Sequence, residues 1–241
     1  RNDSFFELGG NSLSALKIIA ALSKHFNIEL NYSDIFLNET IKKLAVIISG
    51  KKEREIKEIP VYPPAEYYPL SHAQKRILLE CESGKNAAYI ITGGIIIEGS
   101  LNIRALNKSI ELLLKKHESL RTGFRKVNGI TVQYIKTVNS VTAEYIDFSG
   151  YEDSHIRVEE TVNNSVTKEI DLYTNDAVSF SLYQIAPDSF YLLVRLHHII
   201  ADGWSVKIIL EELSDSYNSI INGIDPIPET LRVQYHDYVL W

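Results

Sequence analysis

Apolar residues recur along most of this chain with one of two spacings. A spacing of three or four residues predicts amphipathic helices over residues 71–80, 103–117, 154–169 and 204–221. Runs rich in β-branched and aromatic residues predict strands over residues 88–98, 120–124, 131–135, 143–146, 178–185 and 190–196. The last two strands are predicted to form a hairpin, and Gly93-Gly94 permits a bulge or bend in the first. Helices mixed with hairpins indicate an α+β layered domain.

Residues 1–50 have a different pattern, that of short helices. Apolar residues recur at helical spacing after a Gly-Gly turn, at Leu13, Leu16, Ile19, Ala20 and Phe26. Residues 27–32 are too short for a further helix and are predicted to be a loop. Residues 41–49 form a last amphipathic helix that ends at Gly50.

A charged stretch and a proline-rich stretch separate these two patterns. Residues 51–58 read Lys-Lys-Glu-Arg-Glu-Ile-Lys-Glu, and four prolines follow within residues 59–69. Proline fixes φ and lacks the backbone donor, so this stretch is predicted to be extended. Such a composition is typical of a linker between domains. We therefore predict a helical segment over residues 1–50, a linker over residues 51–67 and a second domain over residues 68–241.

Composition and charge exclude several classes of protein. The 241 residues carry a formal net charge of −6, which disfavours binding to nucleic acid or to an anionic membrane. The single cysteine, Cys81, excludes an internal disulfide and a cysteine-based metal cluster. We see neither a signal peptide nor an apolar run of the roughly 18–20 residues that span a bilayer, and we expect a cytoplasmic protein. Because the chain begins at Arg1 and has no methionine, it is expected to be a piece of a longer polypeptide.

Two adjacent histidines are the first candidates for chemistry. Residues 197–204 read His-His-Ile-Ile-Ala-Asp-Gly-Trp and follow a predicted strand. Neighbouring side chains of an extended segment point to opposite faces, so one histidine can face a cavity while the other faces the core. This arrangement gives one candidate catalytic base and disfavours a metal site made by both rings. The alternative is a pair of histidines at a strand end that only pack or form hydrogen bonds.

A serine at the start of a helix is the second candidate. Ser12 follows Gly9-Gly10-Asn11, where the glycines allow a tight turn and leave the hydroxyl facing solvent. The alternative is a serine that merely caps the helix. Residues 3–13, Asp-Ser-Phe-Phe-Glu-Leu-Gly-Gly-Asn-Ser-Leu, resemble the signature of the peptidyl carrier proteins of nonribosomal peptide synthetases. The resemblance implies 4′-phosphopantetheine bound covalently to Ser12. It also implies that the carrier lacks its first helix here, and Asn11 stands where His or Asp is more usual.

Four motifs of the second domain resemble those of synthetase condensation domains, in the same order. They are residues 68–77 (Tyr-Pro-Leu-Ser-His-Ala-Gln-Lys-Arg-Ile), 116–124 (Lys-His-Glu-Ser-Leu-Arg-Thr-Gly-Phe), 197–205 (the histidine pair through Ser205) and 235–241 (Tyr-His-Asp-Tyr-Val-Leu-Trp). Lys116, Val239 and Leu240 depart from the usual residues Arg, Ala and Val. The resemblance implies a chloramphenicol-acetyltransferase-like α/β sandwich lobe. Because the motifs of a second lobe are absent, the chain is expected to stop near the end of the N-terminal lobe.

The resemblance also implies roles for individual residues. His198 is the family's catalytic position, and the N–H of Gly203 is a candidate donor to an oxyanion. His197 is expected to be structural. Asp202 is either a second catalytic carboxylate or, as we favour, half of a structural ion pair with Arg121. Packing or hydrogen bonding is the expected role of four further residues: His72, His117, Trp204 and His236.

The family joins two carrier-bound substrates, so the resemblance implies several partners. These are an upstream adenylation domain, a downstream carrier protein, a phosphopantetheinyl transferase and the C-terminal lobe of the condensation domain. The isolated fragment is expected to be inactive because half of its cleft is missing. Two alternatives stay open: a lobe of an epimerisation domain, which shares the histidine motif, and a catalytically silent docking fragment. A heterocyclisation domain is disfavoured because its Asp-based motif is absent.

Overall fold

The computed structural model describes residues 3–52, 58–138, 142–166, 168–224, 226 and 230–241. The chain divides into two units, Arg1–Glu58 and Ile59–Trp241. Residues 53–57 of the predicted linker and residue 167 of the helix predicted over residues 154–169 lie outside the described residues. Residues 168 and 169, which the prediction also included, are described and are not helical. Within the described ranges, no helix has both the length and the apolar character that crossing a membrane requires.

The described part of the first unit contains three helices, and the spacing predicts the first and the last of them. They are α1 (Ser12–Phe26), α2 (Tyr32–Leu37) and α3 (Ile41–Gly50). Helix α1 ends because Asn27 adopts the left-handed conformation (φ 54°), which Asn tolerates better than most residues. The Thr40 hydroxyl accepts a hydrogen bond from the Lys43 N–H and begins α3. Buried apolar side chains join the helices: Ala15, Ile28, Leu30 and Ile35.

The second unit is built on a four-stranded sheet. Its strands are β1 (Ile90–Glu98), β4 (Glu144–Asp147), β5 (Val178–Ala186) and β6 (Ser189–His197), in the order β1-β6-β5-β4. Strands β5 and β6 form the predicted antiparallel hairpin, and β4 lies parallel to β5. A separate antiparallel ribbon contains β2 (Thr122–Val127) and β3 (Ile130–Ile135).

Helices cover both faces of this sheet. The α-helices of the described part of this unit are α4 (His72–Glu80), α5 (Ile103–Lys116), α6 (Ser154–Val166), α7 (Gly203–Ile221) and α8 (Tyr235–Leu240). One face, represented by Leu192, Val194 and Leu196 of β6, shares a core cluster with side chains of α5 and α7. The opposite face, represented by Leu193, packs against Val158 of α6. Four apolar residues of α5 that recur at helical spacing are all buried: Leu106, Ile110, Leu113 and Leu114.

The two adjacent glycines of β1 have a different role from the predicted one. Strand β1 pairs with β6 in continuous register, so Gly93-Gly94 makes no bulge; the irregularity lies in β5, between Gln184 and Ala186. A Cβ at Gly93 would lie 2.9 Å from Val206 of α7. A Cβ at Gly94 would lie 2.0 Å from the Tyr191 hydroxyl. Gly93 therefore lets the first turn of α7 approach the sheet closely.

Two local features differ from the sequence prediction. Residues Glu118–Arg121 form a 3₁₀ turn, so the strand predicted from residue 120 begins at Thr122 instead. The six-residue helix α8 is not predicted by the spacing, since one turn and a half offers too few positions to show a period. The Asp237 carboxylate begins α8 by accepting a hydrogen bond from the Gln234 N–H at 2.8 Å.

Candidate active site

The histidine pair lies where β6 ends and α7 begins. Residues 198–202 connect His197, the last residue of β6, to Gly203, the first residue of α7. His197 is completely buried, whereas His198 is exposed. The alternation of an extended segment therefore places the two rings on opposite sides, as predicted. Of the two, His198 is the ring that a substrate can reach.

Backbone hydrogen bonds from both sides anchor this turn. The His197 N–H donates to the Ala177 carbonyl at 2.8 Å, and the His198 N–H donates to the Tyr89 carbonyl at 2.7 Å. The Ile200 N–H closes the turn on the His197 carbonyl at 3.0 Å. The position of the histidine backbone is therefore fixed by the residues that immediately precede strands β1 and β5.

The buried ring of His197 adds a side-chain hydrogen bond to the same turn. Its Nδ1 accepts the Ile199 N–H at 3.1 Å, and its Nε2 lies 3.6 Å from the Cys81 Sγ. Burial, with a contribution from neighbouring His198, lowers the pKa of His197 to about 4. The ring is thus neutral at physiological pH, which fits the structural role that the sequence predicts.

A pair of buried glutamines is hydrogen-bonded to the turn that carries the histidines. Gln74 of α4 and Gln133 of β3 are 2% and 1% exposed. The Gln74 Nε2 donates to the Gln133 Oε1 at 3.0 Å and to the Ile199 carbonyl at 3.4 Å. The Gln133 Nε2 donates in turn to the Pro69 carbonyl at 2.8 Å. The motif of residues 68–77 therefore supports the histidine turn, a role that sequence reasoning did not find.

Asp202 caps the helix that follows the histidines. Its Oδ1 accepts the Ser205 N–H at 2.9 Å and the Ser205 hydroxyl at 2.7 Å, while the Ser205 Oγ accepts the Asp202 N–H at 3.1 Å. Partial burial raises the pKa of Asp202, but these hydrogen bonds and nearby His198 outweigh it and hold the pKa below its ordinary value. An ionised carboxylate at the first turn of a helix is also favoured by the helix dipole.

The ion pair predicted between Asp202 and Arg121 is not formed between these two described residues. Arg121 donates instead to the Glu118 carboxylate at 2.8 Å and to the Lys136 carbonyl at 2.7 Å. Glu118 lies three residues earlier on the same 3₁₀ turn, which brings its carboxylate within reach of Arg121. Asp202 is satisfied by its own capping box. The prediction of an Asp202–Arg121 ion pair was therefore wrong. That Asp202 and Arg121 each support the active site separately stays a prediction.

Gly203 is the first residue of α7 and is exposed. No atom lies within 4 Å of the place where its Cβ would stand. Since the first N–H groups of a helix have no intrahelical acceptor, the Gly203 N–H suits a bond to an external oxygen.

The loop before Ser12 is hydrogen-bonded to Glu39, which lies two positions before the start of α3. The Phe5 N–H donates to the Glu39 carbonyl at 2.8 Å, and the Ser4 hydroxyl donates to the Glu39 carboxylate at 2.7 Å. Gly9 has a positive φ of 90°. A Cβ at Gly10 would lie 2.5 Å from the Phe5 carbonyl oxygen. The two glycines are therefore required for different reasons, one for its conformation and the other for space.

Ser12 does not cap α1. Asn11 is the cap: its Oδ1 accepts the Ser14 N–H at 3.0 Å, and the Ser14 Oγ accepts the Asn11 N–H at 2.9 Å. Ser12 is exposed, and its hydroxyl makes no hydrogen bond within the part of the chain that the structure describes. The interpretation of Ser12 as a simple cap is therefore wrong. An exposed primary hydroxyl at a helix start, behind a glycine turn, has the room that a phosphodiester-linked arm requires.

Two of the other three motif histidines, His117 and His236, are held by packing or hydrogen bonds, as expected. His117 Nε2 lies 2.7 Å from the Glu212 carboxylate. The His236 ring stacks on Tyr68 with ring centroids 4.4 Å apart. His72 is exposed on the first turn of α4. None of these three rings belongs to the turn that carries His198.

Comparison with known proteins identifies families for both units. Residues 65–241 match the family described as Condensation domain, and residues 1–47 match the family described as Phosphopantetheine attachment site. Gramicidin S synthase 2 of Brevibacillus brevis is 35% identical over 241 residues, which cover 99% of this chain and 5% of that protein. Tyrocidine synthase 3 of Brevibacillus parabrevis is 31% identical over 241 residues, which cover 100% of this chain and 4% of that protein. The chain thus spans only a small part of the length of these relatives.

Solved structures confirm the predicted fold class. The starter condensation domain of rhizomide synthetase matches with a TM-score of 0.67 at 20% identity, over 73% of this chain and 43% of that chain. The first condensation domain of the calcium-dependent antibiotic synthetase matches with a TM-score of 0.64 at 20% identity. Members of the family described as Phosphopantetheine attachment site carry 4′-phosphopantetheine covalently on a serine, which agrees with the predicted cofactor. The chain therefore belongs to the condensation-domain family, and a phosphopantetheine attachment segment of the carrier type precedes that domain.

Proposed function

We propose that this chain takes part in peptide-bond formation by a nonribosomal peptide synthetase, with His198 at the reacting atoms. One observation carries the proposal: a solvent-accessible imidazole projects from a turn that five hydrogen bonds hold in place, one of them to the ring of its buried, neutral neighbour His197. Such preorganisation lets a side chain meet its substrate without reorganising first. The match to the condensation-domain family over residues 65–241 supports the reaction class.

The reaction is attack by the α-amine of an acceptor aminoacyl thioester on the carbonyl carbon of a donor thioester. A C–N bond forms, the C–S bond breaks, and the donor thiol leaves after taking up the proton that the amine loses. His198 orients the amine or accepts its proton, a contribution of typically ~10²–10⁴-fold for such acid–base assistance. His197 takes no part in proton transfer because its ring is completely buried and a substrate cannot reach it.

The negative charge that develops on the carbonyl oxygen needs a donor. The N–H of Gly203 fits this role because it lies at the first position of α7, next to open space. Asp202 positions that N–H by capping the same helix turn and is not itself in contact with the reacting atoms in this proposal. Its carboxylate is therefore a support of the site and not a second catalytic group.

Ser12 is the proposed attachment point of 4′-phosphopantetheine, whose terminal thiol carries the donor acyl group as a thioester. The exposed hydroxyl and the fixed loop of residues 3–10 support this assignment. The proposed partners are an upstream adenylation domain, a downstream carrier protein, a phosphopantetheinyl transferase and a C-terminal condensation lobe. A cytoplasmic location, expected from the sequence, stays a prediction.

Loading of Ser12 tests the carrier assignment directly. The chain is incubated with coenzyme A and a phosphopantetheinyl transferase, and intact mass is measured for wild type, S12A and the control S49A, whose serine lies near the end of α3. We expect one added phosphopantetheine in wild type and S49A and none in S12A. Loading of S12A would contradict the assignment.

Amide formation tests the role of His198. We expect no amide from this chain alone with synthetic donor and acceptor thioesters, and amide when the C-terminal lobe is supplied. H198A should then lose at least ~10²-fold in rate, while H72A, which removes an exposed histidine outside the turn, should keep the wild-type rate. Exchange of the donor α-proton with solvent, without amide, would favour an epimerisation domain. No reaction under either condition would favour a docking fragment.

A further inference from the structure

The sulfur of Cys81 touches the buried histidine of the turn. Cys81 is the residue that follows α4, at the start of a short irregular helical segment, Cys81–Lys85, and is partly buried. Its Sγ lies 3.6 Å from the Nε2 of His197, a residue 116 positions further along the chain. This contact joins the end of α4 to the end of β6, next to His198, which carries the exposed imidazole.

The hydrogen bonds of His197 fix which nitrogen carries its proton. Nδ1 accepts the Ile199 N–H at 3.1 Å, so its lone pair is occupied and it cannot carry a proton. A neutral imidazole has one N–H, which must therefore be on Nε2. That N–H faces the Cys81 sulfur, a weak acceptor that is nonetheless within reach.

The electrostatic environment is consistent with a pair in which both partners are neutral. Burial, followed by the carboxylates of Glu169, Glu80 and Glu82, raises the pKa of the Cys81 thiol. Burial lowers the pKa of His197 to about 4. A thiolate–imidazolium pair would require the opposite shifts, and an imidazole whose Nε2 already holds a proton cannot take one from the thiol. Cys81 is therefore not an activated nucleophile.

We propose that Cys81 is a positioning residue: its sulfur accepts the Nε2–H of His197, which leaves Nδ1 free to accept the Ile199 N–H and so shapes the turn that presents His198. If the Nε2–H lost its acceptor, the ring would gain from rotating or changing tautomer. Either change removes the acceptor of the Ile199 amide. The importance of this pair for catalysis rests on the proposed role of His198, but the pair itself can be tested without any activity measurement.

The test uses the full chain labelled with ¹⁵N in its imidazoles. Long-range ¹H–¹⁵N spectra report the tautomer of each histidine, and loss of a signal set in H197N assigns His197. Hydrogen exchange of the Ile199 amide is measured in parallel, with the Val194 amide inside β6 as the internal reference. Two variants are compared: C81V, which removes the acceptor at similar size, and C81S, which replaces it with an oxygen.

We expect wild-type His197 to be in the neutral Nε2–H form at about pH 6, below the pH at which an ordinary histidine is half protonated. In C81V the protection of the Ile199 amide should fall about fivefold, the equivalent of roughly 1 kcal/mol for one net hydrogen bond. Protection of Val194 should not change, and C81S should restore the wild-type tautomer and protection. An Nδ1–H tautomer or an imidazolium in wild type would overturn the proposal, as would unchanged Ile199 protection in folded C81V. If C81V does not fold, the proposal is decided by the His197 tautomer in wild type and by the tautomer and Ile199 protection in C81S.

Discussion

Gln74 and Gln133 form a closed pair of amide hydrogen bonds in the interior of the second unit. Each side-chain nitrogen donates to the other side-chain oxygen, at 3.0 Å and 3.2 Å. The Gln74 Oε1 also accepts the Ser71 N–H, and its Nε2 also reaches the Ile199 carbonyl. Both amides are thus hydrogen-bonded on their nitrogen and oxygen atoms in the buried interior, and they connect two separate segments, residues 68–77 and β3, to the histidine turn.

The costs of replacing the two members of this pair should not add. Q133L leaves the amide of Gln74 buried and partly unpaired, and we expect it to cost about 1–3 kcal/mol of unfolding free energy. The double variant Q74L/Q133L should cost less than the sum of the two single variants, because no amide is left without its partner. Urea unfolding of the four proteins measures the coupling. Simple additivity would show that the pair does not act as a unit.

Gly10 should be required for the loop that presents Ser12. G10A places a Cβ 2.5 Å from the backbone oxygen of Phe5, which cannot move without breaking the contact with Glu39. We expect a loss of about 1–3 kcal/mol for such crowding and a slower phosphopantetheine loading of Ser12. The matched control is G50A, since no atom lies within 4 Å of a Cβ at Gly50. Equal loading rates and equal melting temperatures for the two variants would refute the steric role.

Asp202 and Arg121 should contribute independently to stability. D202A removes a helix cap and should cost about 0.5–2 kcal/mol, whereas R121A removes the partner of Glu118. Since the two side chains share no partner in the described structure, their effects in a double-mutant cycle should add within about 0.5 kcal/mol. A larger coupling energy would support the ion pair between Asp202 and Arg121 that the sequence predicts.

The buried ring of His197 should make stability depend on pH. Its folded pKa of about 4 lies below the unfolded value of about 6.5, so the unfolded chain binds the extra proton first as the pH falls. The stability that neutral His197 provides is therefore complete above about pH 6.5 and declines as the pH falls towards 4, by about 3 kcal/mol at most.

The variant H197N tests this dependence. Asn keeps an acceptor near the position of Nδ1 but has no titratable group in this range. We expect H197N to be less stable than wild type at pH 7 and to lose less stability between about pH 6.5 and pH 4. The difference is read from unfolding curves at several pH values. Parallel pH profiles for the two proteins would show that His197 titrates normally in the folded state.

Several elements follow directly from local sequence. The helix α5 and the β5–β6 hairpin are predicted because the spacing of apolar residues and the turn-forming residues can be recognised within a few neighbouring positions. The opposite exposure of His197 and His198 follows in the same way from strand alternation. In contrast, Gly93-Gly94 carries no local sign that Val206 and Tyr191 pack against it, so the sequence indicates only that a bulge or bend is permitted where the structure has close packing.

The sequence by itself determined the class of fold, the two-part organisation and the candidates Ser12 and His198, because these depend on periodicity and on contiguous motifs. The tertiary structure alone decided which groups hold the site. Gln74 and Gln133 are 59 positions apart, and Cys81 and His197 are 116 apart. Asn11 and not Ser12 caps α1, and Glu118 and not Asp202 pairs with Arg121. Hydrogen bonds and ion pairs act over a few ångströms, so their partners are fixed only when packing brings distant segments together.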